Sequence, residues 1–176
     1  MKIKGGELEQ IGVVHSPYKE NKAPPYQGRR ESQKSVLEIF QEFEVALRDV
    51  ERCTHLFVLY WQHRATRSVL KTRTPWGPEI RGVFATRSPN RPNPIGLCVV
   101  DLVHVKGRFL EVVGMDALDG SPLIDLKPYS SSLDAVNGAG MGWCEQDRSD
   151  FRNGSEVDTG KSNSNFLKER DNLKKY

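Results

Sequence analysis

The sequence predicts an all-β protein: an antiparallel sheet closed into a barrel, with short helices and a polar C-terminal tail. Three observations carry that expectation. Branched and aromatic residues come in short runs bounded by turn residues. Helical periodicity is confined to one stretch. Nowhere do strands alternate with long helices, as a parallel βαβ sheet requires. A chain of 176 residues fits one such domain, residues 1–145, followed by a tail over 146–176.

The elements follow in order. Residues 10–15 form a short β-branched run that Ser16-Pro17 ends. Residues 23–28 carry Pro24 and Pro25, which fix φ and remove two donors, so regular structure is excluded there. Residues 36–39 read as a strand. Phe40, Phe43, Leu47 and Val50 recur at helical spacing and predict a short amphipathic helix over 41–50, its apolar stripe turned to the core. Residues 55–61 (HLFVLYW) read as a buried strand. Residues 64–80 read as polar, basic and irregular, and 82–86 as another short strand. Residues 97–105 alternate, with Leu97, Val99, Val103 and Val105 on one face and Cys98, Val100, Leu102 and His104 on the other. Lys106-Gly107 turns the chain into a returning strand over 109–115. Asp119-Gly120 is a tight-turn pair, and 122–126 supplies a last strand. Beyond residue 146 the chain loses periodicity and reads as linker-like, with a terminal helix over 165–176.

Composition removes several classes. The longest apolar run, 56–61, is far short of the ~20 residues that span a bilayer, and the N-terminus has no secretory apolar stretch. Cys53, Cys98 and Cys144 are odd in number and widely spaced, which disfavours a disulfide framework or a zinc site and fits a reducing, cytoplasmic setting. The four histidines show no ligand spacing, so no metal is expected. Neither GxGxxG, GxxxxGK[ST] nor GxSxG occurs. Net charge is only +3, yet residues 64–91 hold seven bases and one acid. A basic block on a slightly acidic body fits a local anionic partner or a solvated loop.

Chemistry is concentrated in four places. Between Ala85 and Gly96, three prolines (Pro89, Pro92, Pro94) stiffen a loop that carries Arg87, Arg91, Asn90 and Asn93. Fold stability does not demand such a concentration of rigidly held donors, whereas recognition of a carboxylate, a phosphate or a base edge does. Pro24-Pro25-Tyr26-Gln27-Gly28-Arg29-Arg30 places an aromatic beside cations, an arrangement that stacks on a base or simply forms an extended linker. Asp125 and Lys127 flank Leu126 and either pair at the surface or line a pocket. His63 and Arg64 close the apolar strand, where a histidine is structural or functional.

Taken in order, these stretches resemble the TsaA-like family of tRNA (adenine-37, N6)-methyltransferases. The resemblance runs over about residues 9–135. It rests on Ile11-Gly12-Val13-Val14-His15-Ser16-Pro17-Tyr18-Lys19, on Ala23-Pro24 with Gln27-Gly28, and on Thr54 through Trp61 with His63. The long stretch from Gly82 to Leu97 is its most specific part; Leu118-Asp119-Gly120-Ser121-Pro122 and Asp125-Leu126-Lys127-Pro128-Tyr129 complete it. The resemblance implies a homodimeric β-barrel that takes S-adenosylmethionine near the subunit interface. It further implies methylation of N6-threonylcarbamoyladenosine 37 in threonine-accepting tRNA. By matching position, Pro25, Tyr26, Gln27, His63, Arg64, Arg87, Leu97, Asp119, Gly120, Ser121 and Pro122 would contact the donor. Tyr26 stands where the family often has arginine, and longer members carry a further domain where this chain has a polar tail.

The roles expected on this basis are specific. Arg87 binds the donor's carboxylate or the threonyl carboxylate of the modified base, and Asn93 orients the target with Arg91. Asp119, Asp125 or His63 takes the proton that N6 loses, with nothing in the sequence to choose among them. Arg67, Lys71, Arg73 and Arg91 hold RNA. Two rival readings remain: an RNA- or nucleotide-binding barrel without catalysis, and a methyltransferase with an acceptor other than tRNA.

Overall fold

The computed structural model describes residues 2–3, 6–19, 24–25, 27–30 and 32–144. The tail from 146, its expected terminal helix and Tyr26 lie outside the described residues. Ten strands are described: β1 (Lys2–Ile3), β2 (Gly6–Glu7), β3 (Gly12–His15), β4 (Lys34–Ile39), β5 (His55–Trp61), β6 (Lys71–Thr74), β7 (Gly77–Gly82), β8 (Ile95–Lys106), β9 (Phe109–Val113) and β10 (Ser121–Pro128). Six of them close a barrel in the order β10-β3-β4-β9-β8-β5, with every neighbouring pair antiparallel. The expected barrel is therefore the observed one.

Strand alternation explains the closure. Val14, Leu37, Ile39, Leu56, Val58, Val100, Leu110, Val112 and Leu123 all point inward and are almost wholly buried. Each contributes about 1.5–3 kcal/mol by leaving water. Tyr60 and Cys98 extend the same inner layer towards one end. Phe43, Leu47 and Val50 pack half-buried against this core, as their shared stripe predicts.

Four local expectations are corrected. Residues 41–50 form no continuous α-helix. A 3-10 helix over Gln41–Leu47 stops where Asp49 turns left-handed at φ 68°, and a second one follows over Val50–Arg52. The supposedly irregular 64–80 contains β6 and β7, a separate two-stranded ribbon. Its side chains are largely exposed, so no buried face left an alternating apolar pattern to read. The strand expected over 82–86 is a 3-10 turn over Val83–Ala85, because the Thr86 amide and Oγ1 both fold back onto the Val83 carbonyl, at 3.1 and 3.0 Å. In β8, a register shift between Leu102 and His104 interrupts the alternation. His104 consequently stays exposed where alternation would turn it inward, while Leu102 and Val105 both rest against the core. The pair β1–β2 has no counterpart among the expected strands.

The chain divides into two compact units, Met1–Asn137, which holds the barrel, and Gly138–Tyr176. In the second, the described residues 138–144 hold turns at Gly138 and at Gly142 and Trp143, with the Cys144 amide donating to the Met141 carbonyl at 2.7 Å. Among the described residues no helix is long and apolar enough to cross a membrane.

Candidate active site

Three segments meet at one end of the barrel. The first is the end of β5, from Tyr60 into Gln62, His63 and Arg64. The second is the proline-rich loop before β8. The third is the link from β9 to β10, residues 114–120. Together with Pro24 and Pro25 they enclose a cavity of about 330 Å³, a volume within the range that holds small ligands.

The proline-rich loop is stapled from within. Arg91 Nε donates to the Ser88 carbonyl at 2.9 Å, and Nη2 donates to the carbonyls of Val83, at 2.7 Å, and Thr86. Asn90 Oδ1 accepts the Thr66 amide at 2.9 Å, and the Pro94 carbonyl accepts the Gln62 amide at 2.8 Å. Pro94 itself is buried. These bonds and three prolines fix the loop before any ligand arrives. They leave Arg87 on the cavity wall, its Nη1 donating to Gln27 Oε1 at 3.2 Å.

The β9–β10 link is anchored as firmly. Ser16 Oγ donates to the Ala117 carbonyl at 2.7 Å, the Ser16 amide to Asp119 Oδ1 at 3.0 Å, and the Asp119 amide to the Tyr18 carbonyl at 2.8 Å. Gly120 takes φ +76°, which completes the expected tight turn at little steric cost. Between buried Met115 and buried Ala117, the link presents Asp116 to the cavity. Asp116 Oδ1 accepts two hydrogen bonds, from the Tyr60 hydroxyl at 2.6 Å and the Cys98 thiol at 2.7 Å. Burial and then the nearby Asp116 charge push both donors well above their ordinary ionisation range, so both stay protonated. The Tyr60 ring lies directly on Gly96, where a Cβ would come within 2.1 Å of it.

At the rim, His63 Nδ1 faces Ser121 Oγ at 3.4 Å. Partial desolvation, then the Arg64 charge, hold the imidazole below its usual pKa, while a hydrogen bond to the Trp61 carbonyl works in the opposite direction. The cavity thus combines two guanidiniums, a carboxylate, neutral donors and the apolar flanks of Pro24, Pro25, Tyr60 and Leu118.

Of the residues singled out in the sequence, Pro25, His63, Arg64, Arg87 and Ser121 line this cavity, and Gln27 touches it through Arg87. Others fall elsewhere. Leu97 stands on the outer face of β8, 58% exposed. Pro122 lies between inward Ser121 and Leu123, and Gly120 is exposed at the turn tip. Asp119 holds Ser16 and lies 3.8 Å from Lys19 Nζ, off the cavity wall. Asp125 pairs with Lys127 at 2.8 Å, the surface arrangement of the two open to it in the sequence. Asn93 is exposed, its carbonyl accepting the Ile95 amide at 2.8 Å. Arg91, expected to hold RNA, spends its guanidinium on the loop's own carbonyls. Lys71 and Arg73 are exposed on β6, and Arg67 sits over the Trp61 ring with its Nε bonded to the Pro92 carbonyl.

Sequence reasoning passed over Asp116 and Tyr60. The available signal was an acid embedded in the apolar run Gly114-Met115-Asp116-Ala117-Leu118, which burial would make costly without a purpose.

The fold and the site define a small closed β-barrel with a ligand-sized cavity at one end, lined by apolar flanks and a few charged and polar side chains. Residues 13–135 match the tRNA-methyltransferase O N-terminal domain, and the chain belongs to that family. A probable S-adenosyl-L-methionine-binding protein of Archaeoglobus fulgidus is 53% identical over 140 residues, covering 80% of this chain and 38% of its own length. A tRNA (adenine(37)-N6)-methyltransferase of Escherichia coli strain K12 is 33% identical over 156 residues, covering 79% of this chain and 64% of its own length. Among solved structures, TrmO from Pseudomonas aeruginosa superposes with a TM-score of 0.66 at 33% identity, over 80% of this chain and 63% of that one. The chain therefore spans less than two thirds of these three proteins' lengths.

Proposed function

We propose that this chain is an S-adenosylmethionine-dependent methyltransferase acting on N6 of N6-threonylcarbamoyladenosine 37 in threonine-accepting tRNA. In this reading it works in the cytoplasm as a homodimer, with residues 1–145 as the catalytic barrel and 146–176 as an appended tail. One observation carries the reading: a rigid, arginine-bearing loop and a hydrogen-bonded carboxylate line a single ligand-sized cavity of a family barrel.

The cavity suits the donor on chemical grounds. Arg87 offers a fork for its carboxylate, Asp116 offers a negative charge near its cationic groups, and the flanks of Pro25, Tyr60 and Leu118 suit an adenine face. When bound, the donor supplies an electrophilic methyl carbon on a sulfonium. The chain's own residues then have to orient the reacting groups, and fixed geometry can contribute roughly 7–11 kcal/mol to such a step. Arg91 serves this by holding the loop, so its part is positioning. His63 and Ser121 set the rim. Leu97, exposed on the outside of β8, finds a use in the homodimer, at a donor bound near the subunit interface. Lys71 and Arg73 on the exposed ribbon, with Arg67, provide cations for the anticodon arm.

Two measurements test this reading. Calorimetry with S-adenosylmethionine is expected to show one site, weakened about 10- to 150-fold by Arg87→Ala, the value of a charge-assisted bond of about 1.5–3 kcal/mol. Mass spectrometry of threonine-tRNA nucleosides incubated with enzyme and donor is expected to show one added methyl, and none on tRNA that lacks threonylcarbamoylation. Donor binding without any methylated nucleoside would leave a binding barrel; methylation of unmodified tRNA would mean a different acceptor.

A further inference from the structure

The sequence leaves the proton acceptor open among Asp119, Asp125 and His63, and the cavity holds a fourth candidate. We propose that Asp116 is the catalytic base, taking the N6 proton on Oδ2. This rests on the methyltransferase reading above. Among the described residues Asp116 is the one carboxylate on the cavity wall. Asp119 is committed to the Ser16 amide and lies off the wall, and Asp125 is paired with Lys127 outside it. His63 is on the wall, but a proton placed there would create an imidazolium beside Arg64.

The hydrogen bonding around Asp116 divides the labour between its two oxygens. Tyr60 and Cys98 both donate to Oδ1. Oδ2 receives no bond among the described residues. Both donors are held protonated by burial, so they support the anion and do not compete for the transferred proton. The charged or titratable groups that face Asp116 are Tyr60 from β5, Cys98 from β8 and, on the same cavity wall, Arg87, Arg64 and His63.

The step balances. The N6 lone pair forms the bond to the methyl carbon, and the carbon–sulfur pair stays on sulfur as a neutral thioether. The N6–H proton passes to Oδ2, and the resulting carboxylic acid later releases it to water. Asp116 thereby offsets the positive charge that develops on nitrogen, a contribution of typically 10²–10⁴-fold.

Asp116→Asn tests this, since the amide keeps an oxygen for Tyr60 and Cys98 but cannot accept the proton. With the variant saturated with donor, as calorimetry on the same variant establishes, single-turnover methylation should fall by about 10²–10⁴-fold. In ligand-free protein, carbon-13 NMR of the Asp116 carboxyl should give a pKa that coincides with the acid limb of the wild-type rate–pH profile. Tyr60→Phe removes one donor to the anion, so both that pKa and the acid limb should move to higher pH together. A merely structural role for Asp116 would leave the acid limb where it was. The proposal is overturned if Asp116→Asn methylates at the wild-type rate, if the carboxyl and the kinetic limb titrate apart, or if removing His63 abolishes the limb instead. Should Asp116→Asn not fold, the coincidence in wild type and its movement in Tyr60→Phe decide the matter. Wild-type enzyme that binds donor but methylates no tRNA would overturn the functional reading and this assignment together. An active wild type with an equally active Asp116→Asn overturns the assignment alone.

Discussion

At the scale of single residues, the site works by committing most of its polar groups to the protein and leaving a few for a ligand. Arg91 resembles a binding residue in the sequence, yet three carbonyls of its own loop claim it. Arg87, four residues earlier, keeps its guanidinium on the cavity wall. His63 gives this scale a pH signature. Its folded pKa lies below the ordinary value, because partial burial and Arg64 disfavour the cation. The unfolded chain therefore takes up the proton first as pH falls. Stability from His63 is fully present above about pH 6.5, the unfolded histidine value, and is lost as pH drops through the lowered folded pKa. Urea denaturation from pH 7.5 to 5 is expected to show a shallower fall in His63→Asn than in wild type. Identical slopes would mean that the imidazole is indifferent to its surroundings.

At the scale of elements, β8 links the barrel to the chemistry. Its inward positions are Gly96, Cys98 and Val100; the first makes room for a tyrosine ring and the second donates to Asp116. Alternation separated the two sides of β8, but told neither which of them faces the core nor that a missing side chain at Gly96 lets Tyr60 reach Asp116. Gly96→Ala should force that ring aside, costing about 1–3 kcal/mol of stability through overpacking. It should also break the Tyr60–Asp116 hydrogen bond and slow methylation beyond what the lost stability explains. Guanidinium melts beside turnover rates check both effects, and a variant with normal stability and turnover would show that the close approach is relaxed at no cost. The bulge near Val103 and the ribbon β6–β7 were invisible for a different reason. The ribbon has no buried face, so selection for burial left no apolar period there, and the bulge moves the buried position by one residue, from His104 to Val105, inside a run that otherwise alternates.

At the scale of the whole molecule, charge is the organising feature. A net charge of +3 conceals a basic block over residues 64–91 on an otherwise slightly acidic chain. Its bases divide between roles: Arg87 and Arg64 on the cavity, Arg91 within the loop, and Lys71 and Arg73 on the exposed ribbon. If the ribbon grips a phosphate backbone, replacing Arg67, Lys71 and Arg73 with alanine should flatten the log–log salt dependence of tRNA binding by up to about 0.7–0.9 for each phosphate no longer neutralised. Donor affinity should stay as it was. A filter-binding series in rising salt measures this, and an unchanged slope would place the RNA elsewhere.

The sequence by itself determined the all-β class, the places of the six barrel strands, the tight turn at Asp119-Gly120, and the loop from which Arg87 faces the cavity. Those features are local: alternation, turn chemistry and proline restriction act over a few residues. The tertiary structure decided which polar groups are spent and which remain. Asp116 meets Tyr60 and Cys98 across 56 and 18 residues of chain, and Ser16 meets Asp119 across 103. Barrel closure brings such partners together, and no short stretch of sequence carries a record of a partner that far away.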